Sequence, residues 1–580
     1  MMAARRLALL AIALSACSDD GEEDAPPAPV TPASAPLELR GAAPAPTHHD
    51  EGRFRFVDVT AASGLDAFQQ VNGSAEKLEI IASIGGGVGL IDVDRDGDLD
   101  AYLTNGSGFD LEAPLPTDAL FENDGRGRFH DASEEHGVDD ARWTMGLVGV
   151  DVNGDGWRDV YLLNYGANRL LINHEGRLVD EAVPRGLADE GWGAGAAFGD
   201  FDLDGDLDVY VSNYVAFDEA WVGPGRRTDT YRGAEVYLGP RGLPAQADRF
   251  FENVDGNFRD VSARAGIHAV KPSYGFAVLP IDVDLDGRLD IYVANDSEPN
   301  FLWQNRGDGT FEERATELGL AVNQAGRAQA GMGATAGDFD GDLFVDIFVT
   351  NFAMDSYTLY RGGGDSVYQD ATRSAKLHRV TYDSLGWACG FDDFDADGDE
   401  DLWCVNGHVY PQIDRFNLGS SYLQENFLLE NLGGRFAPPD GLGGRGFAVR
   451  AASRGAAVGD VDGDGDLDLF VGNIDGPPTL LENRTPPVGG SVRIVTTGDG
   501  LVRDAIGARV VLRSERGAWL RTVGANVGFL SSHEAGHRIG VGSDPGPFRV
   551  EVTWPDGSTS SREGLSPGAD IELIQPPVER

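Results

Sequence analysis

Apolar and polar positions fall into the same order seven times along this chain. A short, glycine-rich apolar run comes first: GGGVGLI, TMGLVGV, GAGAAFG, YGFAVLP, GMGATAG, LGWACGF and RGAAVG. A stretch of alternating aspartates follows, starting at residues 92, 151, 200, 282, 338, 393 and 460. Then comes AYLTN, VYLLN, VYVSN, IYVAN, IFVTN, LWCVN or LFVGN. β-Branched and aromatic residues in a short run closed by Asn predict a strand. The glycine-rich runs predict inner strands packed close to one another. Each aspartate loop therefore joins two antiparallel strands. A later phrase, such as ALFENDGRGRFHD or RFFENVDGNFRD, predicts two more strands around a glycine turn.

Four strands per repeat, with loop starts 49 to 82 residues apart, predict an all-β fold, a seven-bladed β-propeller. Its ends fit together. FRFVDV, 54–59, has no partner strand before it, and the last TLLEN, 479–483, has no strand after it. Pairing the two completes the seventh blade and leaves no open edge there.

The loops carry the chemistry. Counted from the first aspartate, positions 1, 5 and 9 are Asp in all seven, and position 3 is Asp except for Asn153. The candidate ligands are Asp92, Asp94, Asp96, Asp98 and Asp100 in loop one, and Asp151, Asn153, Asp155, Trp157 and Asp159 in loop two. Loop three offers Asp200, Asp202, Asp204, Asp206 and Asp208; loop four offers Asp282, Asp284, Asp286, Arg288 and Asp290. Loop five offers Asp338, Asp340, Asp342 and Asp346; loop six offers Asp393, Asp395, Asp397, Asp399 and Asp401. Loop seven offers Asp460, Asp462, Asp464, Asp466 and Asp468. Calcium takes six to eight oxygens, and carboxylates at 1, 3, 5 and 9 with a backbone carbonyl at 7 would supply them. That explains why position 7 is free to be Trp157 or Arg288. Gly at position 6 permits a sharp turn; Leu343 breaks that rule in loop five. An EF-hand would need Glu at position 12 between helices, whereas position 12 is Leu, Val or Cys throughout. The expected cofactor is Ca2+, about six or seven structural ions.

The repeated D-x-D-x-D-G-x-x-D hairpin resembles the FG-GAP/VCBS family, the blades of integrin α-subunit heads, over residues 53–485. After ENRTPP the aspartate phrase stops, and residues 490–575 alternate apolar and polar as a small C-terminal β domain. GARV (507–510), GFLSS (528–532), HRIGVG (537–542) and VTWPDG (552–557) are similar to the ASPIC/UnbV domain, with Ile539-Gly-Val-Gly where that family has Phe-Gly-Leu-Gly. The combination resembles the cartilage acidic protein family and its bacterial relatives, which implies architecture more than activity.

Residues 1–16 read as a signal peptide: a basic start, then the apolar run Leu7–Leu14, too short to span a bilayer. LSAC (14–17) resembles a bacterial lipobox, which implies acylation of Cys17 and attachment to a membrane, by the sorting habit the outer membrane or cell surface. Residues 17–52, proline-rich with an acidic head, read as a linker with a reach on the order of 100 Å. A net charge of −49 argues against nucleic acid. Cys389 and Cys404 flank loop six at equal distances, leaving open a disulfide or two buried thiols.

HEAGH (533–537) matches the zinc-protease signature, but that motif needs a helix and glycines crowd this segment. An insertion between the third and fourth repeats carries Arg226, Arg227, Arg232 and Arg241, and NGHVYPQID (406–414) forms a second long loop. Either a binding surface or a structural cap suits the insertion. No catalytic constellation stands out. The reading is a non-enzymatic, calcium-binding, lipid-anchored surface protein that binds a protein or glycan partner. The alternatives are a polysaccharide lyase or hydrolase, favoured if Asp, His, Arg and Tyr cluster in the central funnel, and a passive scaffold of an envelope complex.

Overall fold

The computed structural model describes residues 48–577, apart from 110–114, 224–225, 365, 417–418 and 525–527. The signal segment, Cys17 and most of the linker lie outside the described residues. The linker reading needs correction at its end. His48 and His49 already hydrogen-bond Gly444 and Gly441, and Asp50 pairs with Arg445, because the chain there packs against the turns before the seventh sheet.

Seven four-stranded antiparallel sheets account for the repeats. Their inner strands are Val88–Ile91, Trp143–Val150, Gly193–Gly199, Gly275–Ile281, Ala334–Gly337, Gly386–Asp392 and Ser453–Gly459. Every inner strand stops at the residue before position 1 of its loop. Every second strand opens on the position 9 aspartate, paired across the hairpin as in Ile91↔Asp100 and Gly459↔Asp468. The glycines let these inner strands approach one another. A Cβ on Gly195 would lie 2.1 Å from the Phe276 carbonyl oxygen, and one on Gly333 2.0 Å from that of Trp387. Each inner strand contacts the next, and the seventh contacts the first.

Phe56–Asp58 pairs with Thr479–Asn483 as the outermost strand of the seventh sheet, in register Phe56↔Asn483. Asparagines closing the third strands join neighbouring sheets. Asn173, Asn305, Asn431 and Asn483 each donate a side-chain amide to the position 2 carbonyl of the preceding sheet's loop, at 2.7–3.0 Å. Asn123 of the first sheet does the same to Val461 of the seventh, at 2.8 Å. The fifth sheet has Gly362 at this place and lacks the bond. Buried amides and carbonyls must be paired, so these bonds tie the sheets together where apolar contact ends.

The C-terminal domain has two sheets. Gly490–Thr497 lies between His537–Gly542 and Asp570–Ile574, and Ala518–Thr522, Arg509–Arg513, Phe548–Thr553 and Thr559–Leu565 form the other. Val492, Val510, Leu512, Ile539, Val550 and Trp554 fill the space between them. The domain docks on the loop side of the repeats. Its segment Gly528–Glu534 threads among inner strands of the first, second, fifth and seventh sheets. Leu90, Leu147 and Ala334 amides donate to Ser532, Leu530 and Gly528 at 3.0–3.3 Å. Phe529 packs between Phe276 and Trp387, ring centroids 5.5 and 5.0 Å away.

Candidate metal centres

All seven loops share one curl. Positions 4 and 6 are both left-handed in each, with φ of 56° to 73° at position 4 and 67° to 104° at position 6. Glycine at 6 is thereby explained; Leu343 adopts the conformation at φ 67°, at a cost of about 1 kcal/mol. The second left-handed residue was not anticipated, because Arg95, Leu203, Leu285 and Ala396 occupy it without glycine.

The curl turns side chains 1, 3 and 5 inward. In every loop the position 5 carboxylate accepts from the position 7 amide at 2.8–3.1 Å. Position 1 accepts from the amides of 5 and 6, as in Asp282 with Asp286 and Gly287 at 3.1 and 2.9 Å. Three carboxylates then present oxygens within 4.8 Å of one another. The sets are 1, 3 and 5 in Asp92/Asp94/Asp96, Asp200/Asp202/Asp204 and Asp393/Asp395/Asp397. They are 1, 3 and 9 in Asp282/Asp284/Asp290 and Asp338/Asp340/Asp346.

Buried oxygens are left over. Asp92, Asp200, Asp206, Asp284, Asp340 and Asp466 each keep one Oδ1 that is buried and meets no donor. An orphaned buried carboxylate oxygen is costly, and a divalent cation between such oxygens removes the cost. The donor set suits a hard, oxygen-seeking ion. Burial, reinforced by neighbouring carboxylates, holds Asp200 and Asp338 up to about 7 and Asp466 up to about 8.

Position 9 has a second job that the spacing concealed. Its Oδ1 accepts from the third-strand amide in all seven sheets at 2.7–3.0 Å, Asn123 to Asp100 and Gly362 to Asp346 among them. In five loops Oδ2 also accepts from the position 2 amide. Position 9 is thus first a tie between three pieces of backbone. In loops four and five it also enters a converging set.

The C-terminal domain reaches the same loops. Asp504 accepts from the Asp151 amide and pairs with Arg158, Arg503 lies 3.6 Å from Asp151, and Arg538 lies 3.0 Å from Asp460. Val488 and Gly542 amides donate to the Asp395 and Ala396 carbonyls of loop six. Between domain and repeats lies a cavity of about 420 Å³, lined in part by Asp392, Glu400, Arg493, Arg521, His533 and His537. Arg521 pairs with Glu400 at 3.1 Å. HEAGH forms no helix. Its His533 Nδ1 accepts from the Val458 amide at 3.1 Å, and burial drives His533 down to about 4.

Other sequence candidates find plainer places. Cys389 and Cys404 face each other directly across the sixth sheet, yet both are free thiols, so the disulfide alternative is set aside. They pack as small apolar groups with Phe348, Tyr357 and Phe391, beside a register irregularity at Gly386–Cys389. The insertion forms a hairpin, Thr228–Tyr231 with Ala234–Tyr237. It packs at the strand ends away from the loops, Tyr237 bonding Ser83 at 2.6 Å and lying tilted against Tyr410, ring centroids 4.8 Å apart. Its Arg227 lies over Trp221 at 5.2 Å, Arg232 over Tyr231 at 5.8 Å, and Arg241 donates to the Ser297 carbonyl. His408 is fully buried among these rings, its Nδ1 accepting from the Tyr410 amide.

The FG-GAP-like repeat model matches residues 92–162, 151–211 and 282–349, and the ASPIC and UnbV model matches 498–580. The chain carries FG-GAP-like repeats and an ASPIC and UnbV domain. The chain is 30 % identical to cartilage acidic protein 1 of Homo sapiens over 335 residues, and to that of Xenopus tropicalis over 314. The matched regions cover 55 % and 52 % of this chain, and the chain spans about half the length of these relatives, 46 % and 45 %. Among solved structures, the chain is similar to an Agrocybe aegerita lectin that recognises non-reducing terminal N-acetylglucosamine (14 % identity, TM-score 0.35, 64 % of this chain and 88 % of the other). It is also similar to the exotype rhamnogalacturonan lyase YesX (12 %, 0.35, 70 % and 72 %). At that level neither likeness speaks to ligand or reaction.

Proposed function

We propose that the seven sheets are the blades of a closed propeller whose hairpin loops hold calcium. On this reading the protein acts outside the cell, lipid-anchored through Cys17, and binds a protein or glycan partner. The observation that carries the reading is the recurrence of buried, donorless carboxylate oxygens, at position 1, 3 or 7, in loop after loop. The bond from Asn123 to Val461 supports closure of the ring, because it joins first sheet to last. Positions 1, 3 and 5 would hold the ion; the ion would supply the positive charge that lets the curl close without protonation. The extracellular placement draws on the likeness to cartilage acidic protein 1 and on the leader-like start of the chain.

A second reading has an observation of its own. The cavity between ring and C-terminal domain gathers Asp392, Glu400, Arg521, His533 and His537, the kind of funnel that favours a polysaccharide-acting enzyme. One experiment separates the two. The immobilised protein is offered polysaccharides and envelope proteins in about 1 mM calcium and again in chelator. Saturable, chelator-sensitive binding without products supports the binding protein. Release of new reducing ends or unsaturated sugars supports the enzyme and removes the first reading.

A further inference from the structure

In loops five and six one guanidinium bridges positions 3 and 5, whereas in loop four Arg288 pairs with position 5 alone. In loop six the Arg53 guanidinium pairs through Nε with Asp395 Oδ2 and through Nη2 with Asp397 Oδ2, and it also meets Glu430. In loop five the Arg361 guanidinium pairs through Nε with Asp340 Oδ2 and through Nη2 with Asp342 Oδ2. The contacts agree atom for atom. Yet the two arginines come from unrelated places. Arg53 precedes the closing strand Phe56–Asp58, and Arg361 ends the third strand of the fifth sheet. At Arg361's place the other third strands carry Glu122, Glu252, Gln304, Glu430, Glu482 or Ile172. In the third and seventh sheets those glutamates add negative charge beside position 3, raising Asp202 and Asp462 further after burial. In loop five that place holds a positive charge instead, and in loop six Arg53 neutralises Glu430.

We propose that loops five and six carry their own counter-cation, Arg361 and Arg53, and therefore take calcium as a separate, weaker class of site than loops one and three. The inference rests on the calcium reading of the loops. Calcium affinity follows the charge of the ligand set, and a guanidinium bridging two of the ligands removes charge where the ion needs it. The site is not filled by the arginine, since Asp340 Oδ1 and Asp395 Oδ1 remain buried without a donor. In loop six the consequence reaches further. Arg53, three residues before the closing strand begins, ties the N-terminal segment to the sixth sheet's loop. An ion entering loop six loosens that tie, so occupancy there is read out at the N-terminal side of the ring.

The test uses the full chain, metal-stripped and titrated with calcium by calorimetry, alongside Arg53→Gln, Arg361→Gln and the two lysine variants. The parent should show two classes of site. Each glutamine variant should move one ion from the weak class to the strong, tightening it about tenfold, while lysine, which keeps the charge, should leave it weak. Loop six has its own probe. Trp519 packs against Gly398, where a Cβ would lie 2.8 Å from its indole nitrogen. In a Trp157→Phe background, which removes the tryptophan of loop two, the terbium signal sensitised by Trp519 should appear at lower terbium in Arg53→Gln and fall sharply in Trp519→Phe. A parent with one class of equal sites, unchanged by Arg53→Gln and Arg361→Gln, overturns the proposal and leaves the calcium reading standing. No calcium binding in any variant removes both.

Discussion

In the repeats, the second strands are buried on both faces. Every residue of Asp208–Asn213, Asp290–Asn295, Asp401–Asn406 and Asp468–Asn473 is buried. In the C-terminal domain the strands alternate, as in Phe548–Thr553 and Asp570–Ile574, with one side toward the core and one toward solvent. A strand between two sheets has apolar support on each side but delivers its polar ends into the protein. The ring meets that demand with aspartates that bind backbone amides and with loops whose carboxylates converge. The C-terminal domain turns its corners in solvent, with Ser514–Gly517 and Trp554–Ser558 closed by backbone bonds of 2.9 Å. On the proposed calcium reading, the repeats' order depends on what neutralises their loops, whereas the other domain depends on its apolar core.

That difference can be broken most directly by removing cations. Chelation should lower the ring's unfolding temperature by on the order of 10 °C or more. Amides of the second strands should lose hydrogen-exchange protection well before those of Arg509–Arg513 and Phe548–Thr553. Equal loss in both regions would end the distinction.

A smaller effect should separate the two jobs of aspartate. Asp468→Ala deprives the Val461 and Asn483 amides of their acceptors and should cost about 2–4 kcal/mol even in chelator. Asp96→Ala, at position 5, should leave cation-free stability nearly unchanged and weaken calcium binding. Urea melts with and without calcium measure both.

The pH response should have opposite signs in the two regions. Asp200 and Asp338 are held near 7 and Asp466 near 8, above the ordinary 3.8. The folded ring therefore binds more protons than the unfolded chain between about pH 4 and 8, and its cation-free stability must fall as pH rises through that window. Calcium should flatten the slope. In the C-terminal domain, hydrogen bonds from Ser514 and Gly546 hold Asp544 below its ordinary value. Its contribution is present above that ordinary value and disappears as pH falls. Melting curves from pH 2 to 8 decide the signs. Least of all, Ser532→Ala should cost about 1 kcal/mol, because only the Gly149 amide loses its partner.

Much of the ring is legible from spacing alone. The first aspartate follows the inner strand and the ninth opens the next in all seven sheets, because the same local pattern repeats. Closure by Phe56–Asp58 is legible too, since each unpaired strand implied the other. What spacing could not show is contact between distant residues. Arg53 meets Asp395 of the sixth sheet's loop, and Asn123 meets Val461 from the opposite end of the repeats. The recurring Asn of FEN and LEN was a visible signal for the second. For Arg361 the signal was an arginine where other repeats place glutamate. Gly528–Glu534 offered no signal, because its partners are backbone amides of four different sheets.

Calorimetric titration of the metal-stripped full chain with calcium, followed by a melting curve at each end point, tests the central claim most directly. Binding of several ions per chain, with a large rise in melting temperature, is the result this account predicts. An absence of binding heat together with an unchanged melting curve would contradict it. The loops would then be acidic turns held by arginine and backbone alone.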